Sequence, residues 1–277
     1  MIAFYAMGGG LGHLTRVRAF IHTYNIEEPF KVITANHAAF RFFANEQVLF
    51  IESDKETTGA ELARKIHDAT HDLAFIDLYI DAFPCGILGE LSEKVIPAEH
   101  LHYLARRLVW KNYQPLLSNE MTFNDIYRFE PLESDHQMFI QNHGKQIIDC
   151  SLDFSFLRSN KTPSIKKPLQ PLWLIVHSTH PEELELLLHH AQDIAQLEQV
   201  SPYFVVLSDV SIPLPDSIEL LMNEQPMNWY PLAERVFTGV GFNTWYQLQA
   251  CRNKHTALPF KRKFDDQFWR VGLKDDS

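Results

Sequence analysis

The chain has 277 residues, 45% of them hydrophobic and 22% charged, with a formal net charge of -10 at pH 7. That length suits two domains, and the composition suits a buried core and argues against long disorder. The acidic balance excludes a non-specific nucleic-acid binder, which needs Lys and Arg against phosphate. Cys85, Cys150 and Cys251 are far apart with no CxxC, so neither a disulfide framework nor a zinc site is indicated. The start, MIAFYAMGGG, lacks the basic region of a secretory signal, and no apolar run reaches the ~20 residues that span a bilayer. The expectation is a reducing, cytoplasmic protein; a local basic patch leaves room for peripheral membrane contact.

In chain order, Ile2 to Ala6 reads as a strand, followed by a glycine loop and a helix from about Leu14. Lys31 to Ala35 and Val48 to Glu52 read as the second and third strands, and Glu56 to Asp68 as a helix with Leu62, Ala63 and Ile66 on one face. Leu73 to Leu78 reads as a fourth strand, apolar enough for a parallel sheet covered on both faces. Residues 111 to 170 mix aromatics, charges and short apolar runs and predict no clear element. Ser159 to Pro171, rich in Pro, Lys and Ser, is the linker candidate. Alternation then resumes. Leu172 to Val176 reads as a strand, Pro181 to Leu197 as a helix capped by Thr179, and Tyr203 to Leu207 as a strand. A strand at Val236 to Thr238 leads to a helix from about Thr244, then a strand at Thr256 to Leu258 and a last helix at Asp265 to Val271. The pattern predicts two doubly wound α/β domains, 1–165 and 166–277, with ligands beyond the carboxyl ends of the strands.

Two loops carry the chemistry. Met7-Gly8-Gly9-Gly10-Leu11-Gly12-His13-Leu14-Thr15-Arg16 joins a strand to a helix. Its glycines allow close backbone approach, and the helix start behind them offers free N–H groups to a phosphate. No Lys-Ser/Thr pair follows, so this is not a Walker A loop; the third glycine of a dinucleotide fingerprint is absent, and Thr34-Ala35-Asn36 supplies no ribose-binding acid. His13 sits at the mouth of the loop, where an imidazole can take a hydroxyl proton near neutral pH. Thr238-Gly239-Val240-Gly241-Phe242-Asn243-Thr244 is a second strand–loop–helix phosphate seat, in which Asn243 and Thr244 either bind phosphate or cap the helix. Further on, Lys261-Arg262-Lys263 can offset negative charge, and Asp266-Gln267 can bind sugar hydroxyls or cap a helix. In the first half, Asp81-Ala82-Phe83-Pro84-Cys85-Gly86 and Glu90 follow the fourth strand; Asp81 and Glu90 can bind acceptor hydroxyls, assist a base, or close a turn.

Gly9-Gly10-Leu11-Gly12-His13 resembles the GGxGH loop that opens family 28 and related GT-B glycosyltransferases, a group that includes the peptidoglycan N-acetylglucosaminyltransferase. Asp81-Ala82-Phe83-Pro84-Cys85-Gly86 with Glu90-Leu91, and Ala105 to Trp110, resemble stretches of predicted glycosyltransferases. TGxGFNT followed by P-x(5)-DDQ resembles the donor half of the same family. The resemblance implies two Rossmann-like domains facing a cleft, the second of them short, and no cofactor, with a nucleotide sugar as substrate. It assigns donor binding to Gly9, Gly10, Gly12, Gly239, Gly241, Asn243, Thr244, Asp266 and Gln267. Gln247 stands where many members carry a ribose-binding Glu, and a neutral amide still bonds hydroxyls. His177-Ser178-Thr179-His180-Pro181 stands where a glycine-rich turn is usual.

The implied reaction is inverting transfer from a nucleotide sugar, by default a UDP-sugar, to a hydroxyl of a glycan, a lipid-linked sugar or a small molecule. His13 is the first choice of base and Asp81 the second. With no Asp-Xaa-Asp motif, backbone N–H groups rather than a metal stabilise the leaving diphosphate. Closure about the linker would exclude water. The alternatives are a nucleotide-sugar epimerase or hydrolase, and a non-catalytic nucleotide-sugar-binding protein.

Overall fold

In the computed structural model of the chain, residues 1–92, 94–118, 121–159, 163, 166, 169–178 and 180–272 are described. The chain divides into two compact units, Met1–Asp153 with Lys263–Asp265, and Phe154–Arg262 with Asp266–Ser277. Thr179 and most of the linker candidate lie outside the described residues.

The first unit runs β1 (Ile2–Tyr5), α1 (Gly12–Thr23), β2 (Phe30–Thr34), α2 (Ala39–Phe42), β3 (Val48–Phe50), α3 (Gly59–Thr70), β4 (Phe75–Asp81), β5 (Ala98–Ala105), α4 (Trp110–Tyr113), β6 (Phe123–Arg128), α5 (Ser134–His143) and β7 (Gly144–Asp149). Its strands form one parallel sheet in the order β3-β2-β1-β4-β5-β6-β7. Strand β1 is buried along its whole length, with Ile2 in register with Phe30 on one side and Asp77 on the other. The order reverses between β1 and β4, so the crevice beyond their carboxyl ends is the topological switch point.

The second unit runs β8 (Leu172–Val176), α6 (Pro181–Leu197), β9 (Tyr203–Leu207), β10 (Glu219–Leu221), α7 (Pro226–Trp229), β11 (Arg235–Gly239), α8 (Phe242–Gln247), β12 (His255–Leu258) and α9 (Gln267–Arg270). Its parallel sheet has the order β10-β9-β8-β11-β12, with the reversal between β8 and β11. Helix α6 buries Leu184, Leu187, Leu188, Ala191 and Ala195, the spacing of one apolar stripe, against Trp173, Val206 and Phe237. Among the described residues, no helix is long and apolar enough to cross a membrane.

Several boundaries differ from the sequence reading, each for a local reason. Thr58 accepts a hydrogen bond from the Glu61 N–H (3.3 Å), so α3 begins at Gly59 rather than Glu56. Strand β4 extends to Asp81, which makes that carboxylate part of the sheet edge and not of the following loop. Strands β5, β6 and β7 and helix α5 were not read from the sequence at all. Strand β5 carries Glu99, His100 and His102, which hide its apolar face of Leu101, Tyr103 and Ala105. Helix α8 begins at Phe242, with Gly241 at its N-cap, so Asn243 and Thr244 lie inside the first turn and do not cap it. The last helix is only Gln267–Arg270, capped by Asp266, whose Oδ1 accepts from the Trp269 N–H (3.1 Å).

One buried cluster ties the sheet to α4 and α5. His136 is fully buried and stacks on Trp110 at 3.9 Å, and its Nε2 lies 3.1 Å from the Tyr103 hydroxyl. Burial, with Arg106 and Arg107 adding, pushes the His136 pKa down to about 3. The unfolded imidazole titrates near ~6.5. The neutral ring therefore stabilises the fold fully above that pH, and the contribution is lost as pH falls toward the folded value. Stability should fall between pH 6.5 and 4, with this group contributing up to about 1.4 kcal/mol per pH unit. Urea unfolding at several pH values should show His136→Phe, which keeps the stacking, with a shallower acid slope than the wild type; equal slopes would contradict a buried neutral imidazole.

Candidate functional site

Strand β1 ends at Tyr5, and the loop Ala6 to Leu11 delivers His13 into the first turn of α1. Asp81 arrives from the end of β4, the next strand across the switch point. Helical spacing of three places Arg16 on the same face as His13. The three side chains meet. His13 Nδ1 lies 2.6 Å from Asp81 Oδ2, Arg16 Nε donates to Oδ1 at 2.6 Å, and Arg16 Nη2 donates to Oδ2 at 2.6 Å. Arg16 Nη2 also lies 3.4 Å from His13 Nδ1. Asp81 is 1% exposed and Arg16 3%, so this is a buried, bidentate pair; the His13 side chain keeps 12% of its surface.

The electrostatics follow from burial and from Arg16. Burial alone raises a carboxyl pKa, but Arg16 and His13 outweigh it and hold Asp81 below the usual carboxylate range. Burial lowers the His13 pKa, Asp81 opposes that, and Arg16 and Arg106 add to it. The ring is therefore neutral near pH 7. Its Nδ1 faces an anion, which assigns the proton to Nδ1 and the lone pair to Nε2.

The backbone at Asp81 is unusual. Ala82 has φ 64°, and the Phe83 N–H donates to the Asp81 carbonyl at 2.8 Å, closing a γ-turn about a non-glycine residue. Such a conformation costs about 1–3 kcal/mol and persists only when its surroundings fix it. Here the Ala82 N–H donates to Leu104 O (3.1 Å), and the Tyr103 hydroxyl donates to Ala82 O (2.9 Å). Just beyond, Glu90 is 4% exposed and accepts from the Tyr5 hydroxyl and from the N–H groups of Leu88 (2.7 Å) and Ile87 (3.2 Å). Burial raises its pKa, against those donors. Glu90 thus closes the 86–90 loop over Gly86, whose φ of 83° and missing Cβ are both required there.

The glycine loop is tied to β2 through Asn36, whose amide donates to Gly10 O at 3.2 Å. Its glycines divide into two kinds. A Cβ on Gly8 would lie 2.2 Å from His13 Cδ2 and 2.4 Å from Nε2, so the His13 ring rests on Gly8. A Cβ on Gly9 or Gly10 would meet no protein atom within 4 Å. Gly12 is the first residue of α1, whose first turn holds no acidic residue.

In the second unit, Gly239 ends β11 and Gly241 is the N-cap of α8; a Cβ on Gly239 would crowd Phe260 at 3.2 Å, whereas one on Gly241 meets nothing within 4 Å. Thr238, beneath them, donates to Gly239 O (2.6 Å) and contacts His255 Nε2 (2.7 Å), whose Nδ1 faces Arg252 (2.9 Å). Burial, helped by Arg252, lowers the His255 pKa to about 4. Gln267 is 5% exposed, and its side-chain oxygen accepts from the N–H groups of Val240 (3.2 Å) and Phe260 (3.0 Å). Asn243, Thr244 and Gln247 lie half-buried along α8, and Asp266 half-buried at the start of α9. Of the basic run, Arg262 forms a bidentate pair with Glu183 (2.5 Å), which also faces His177 Nε2 at 2.9 Å. Lys263 belongs to the first unit, where its carbonyl accepts from Asn112 (2.7 Å).

Arg16 and Arg106, unlike His13 and Asp81, were not among the site residues expected from sequence. The three-residue spacing of His13 and Arg16 was the available signal for the first. Arg106, 6% exposed, pairs with Asp265 at 2.7 Å, a contact of high sequence separation that no local pattern reveals.

No protein-family model and no curated protein matches the sequence. Among solved structures, the chain is similar to the glycotransferase of kitacinnamycin (TM-score 0.58, 12% identity, covering 98% of this chain and 83% of that one). It is also similar to the glycosyltransferase SnogD from Streptomyces nogalater (TM-score 0.50, 11% identity, 98% and 84%) and to a glycosyltransferase from Rickettsia africae (TM-score 0.50, 12% identity, 85% and 71%). The fold is glycosyltransferase-like. Its two parallel sheets, of seven and five strands with flanking helices, match the GT-B architecture of these neighbours.

The two kinds of glycine predict two kinds of variant. Gly8→Ala should displace His13 from Asp81 and cost roughly 1–3 kcal/mol by overpacking. Gly9→Ala and Gly10→Ala should leave stability within about 0.5 kcal/mol. Thermal unfolding and the imidazole NMR signals of His13 check both; a Gly8→Ala protein with unshifted His13 signals would contradict the stacked arrangement.

Proposed function

We propose that this protein is an inverting, metal-independent glycosyltransferase that moves a sugar from a nucleotide sugar, by default a UDP-sugar, to an acceptor hydroxyl. The observation that carries the reading is the His13–Asp81–Arg16 cluster at the switch point of a glycosyltransferase-like fold. His13 is the base. Its Nε2 takes the acceptor hydroxyl proton, the acceptor oxygen bonds to the anomeric carbon of the donor, and the bond from that carbon to the diphosphate breaks, releasing the nucleoside diphosphate. Asp81 orients and tunes the ring through Nδ1. It is not itself the base, because Arg16 bonds both of its oxygens and it is buried.

In this reading residues 1–165 serve the acceptor and 166–277 the donor. Gly239, Gly241, Asn243, Thr244 and Gln247 line the nucleotide diphosphate and ribose. Asp266 and Gln267 are assigned to the donor sugar, Gln267 also fixing the Val240 backbone. Gly9, Gly10 and Gly12 leave the start of α1 open to phosphate, with backbone N–H groups rather than a metal meeting the charge. The kinship with family 28 enzymes, the cytoplasmic location and the hydroxyl acceptor belong to the same proposal. The acceptor is a glycan, a lipid-linked sugar or a small molecule.

The test is a titration with UDP, GDP, dTDP and their sugar conjugates, with and without EDTA, followed by melting temperature. A ligand at a hundred times its dissociation constant adds about 2.7 kcal/mol. One nucleotide should stabilise the protein selectively, with or without chelator. His13→Ala should keep that shift and lose transfer by at least ~100-fold. Binding without product from any acceptor would point to a non-catalytic binder; free sugar without acceptor, to a hydrolase; a new donor isomer, to an epimerase.

A further inference from the structure

The unusual member of the cluster is Arg16. A His–carboxylate pair needs only one carboxylate oxygen for the imidazole and leaves the other to water or backbone. Here both oxygens of Asp81 carry guanidinium hydrogen bonds, and Oδ2 is shared between Arg16 Nη2 and His13 Nδ1 at 2.6 Å each. The same Nη2 is 3.4 Å from His13 Nδ1. Arg16 is buried in α1 one turn after His13, and the γ-turn at Ala82 fixes the backbone at Asp81, so helix and strand end present the three groups to one another. We propose that Arg16 is a positioning residue for the base: it locks Asp81 as an anion aimed at Nδ1 and holds the His13 ring in its unprotonated, Nε2-open form.

The chemistry follows from the shared oxygen. Arginine stays charged at any working pH. Asp81 therefore never takes the Nδ1 proton; it keeps that proton on Nδ1 by accepting from it. Part of its field is spent on Arg16, so the imidazolium gains less from Asp81 than in an unshared pair, while the nearby guanidinium repels it. The groups facing His13 are Asp81 from β4, Arg16 from α1, Arg106 from the segment after β5, and the Phe83 ring at 5.5 Å. Two cations against one anion, in a buried site, keep the ring unprotonated through neutral pH. The two single removals must then shift it in opposite directions.

This inference rests on the reading of His13 as the base, and its main test needs no substrate. The full-length protein, labelled at histidine, is titrated by NMR, with His13 assigned by comparison with His13→Gln. In Arg16→Met the His13 midpoint should rise by about one unit or more. In Asp81→Asn it should fall, and in Arg16→Lys, which keeps the charge, it should stay near the wild-type value. An unchanged or lowered midpoint in Arg16→Met overturns the proposal. Arg16→Met leaves Asp81 buried and unpaired, so it can fail to fold. The pair Asp81→Asn and Asp81→Asn/Arg16→Met then replaces it, and the double variant must titrate at higher pH than the single one. Once a donor is found, the acid limb of kcat/KM in Arg16→Met should move to higher pH by the same shift, and Arg16→Lys should restore it. A wild type with no transfer but with the opposed NMR shifts removes the transferase reading and leaves the role of Arg16 standing.

Discussion

A carboxylate withdrawn from solvent keeps its charge only where cations and hydrogen-bond donors replace the lost solvation. Asp81 is such a group, 1% exposed at the end of the strand beside β1, and much of the first unit is arranged around it. Arg16 supplies the charge, so α1 must sit where its second turn reaches β4. The γ-turn at Ala82 points the carboxylate back toward α1 and is itself held by Leu104 O and the Tyr103 hydroxyl. Tyr103 leans on His136, and His136 on Trp110. The candidate base is thus the accessible end of a chain of contacts that crosses the sheet from α1 to α5.

The second unit solves the same electrostatic problem with the signs exchanged. In the first unit the helix after the first strand carries the cation, Arg16, and the neighbouring strand carries the anion. In the second, the helix after β8 carries the anion, Glu183, and the segment after β12 carries the cation, Arg262. Each arrangement has a histidine just beyond the first strand, His13 in the first turn of α1 or His177 directly after β8. The exchange matters at the helix starts. Helix α1 has no acid in its first turn and stays receptive to an anion, whereas α6 carries Glu182 and Glu183 there and neutralises its own positive end. In the proposed function the diphosphate is accordingly given to the loop after β11, with Gly239 and Gly241, rather than to the loop after β8.

The strands with continuous apolar runs, β1, β8 and β9, were legible from sequence to within a residue or so, because a parallel strand covered on both faces needs nothing but apolar residues. Strand β5 was not, because the exposed Glu99 and His100 and the buried His102 break the apolar run. At the site, Gly9 to His13 was legible as the passage from strand to helix, and Asp81 as a carboxylate at a turn. That Asp81 belongs to the strand, and that Arg16 closes on it, depends on strand register and helix rotation, which sequence spacing constrains only in hindsight. Of the roles open to Glu90 in sequence, as a ligand for hydroxyls, an aid to a base or the closure of a turn, its hydrogen bonds show the last: it closes its own loop over Gly86.

The glycines separate what the protein requires for itself from what it leaves open. Gly8 is required by the His13 ring, Gly86 by positive φ and the Glu90 carboxylate, and Gly144 by Ile126 and the Ile140 carbonyl. None of these says anything about a ligand. Gly9, Gly10 and Gly241 have no left-handed backbone, and a Cβ on any of them would meet only open space. Glycine costs more backbone entropy on folding than any other residue, by roughly 0.5–1 kcal/mol relative to Ala. Three such positions, each beside a helix start at the carboxyl edge of a parallel sheet, have no explanation in the packing of the protein. In the proposed function they leave room for a diphosphate to approach the backbone, and the positive end of α1 favours an anion at the first two.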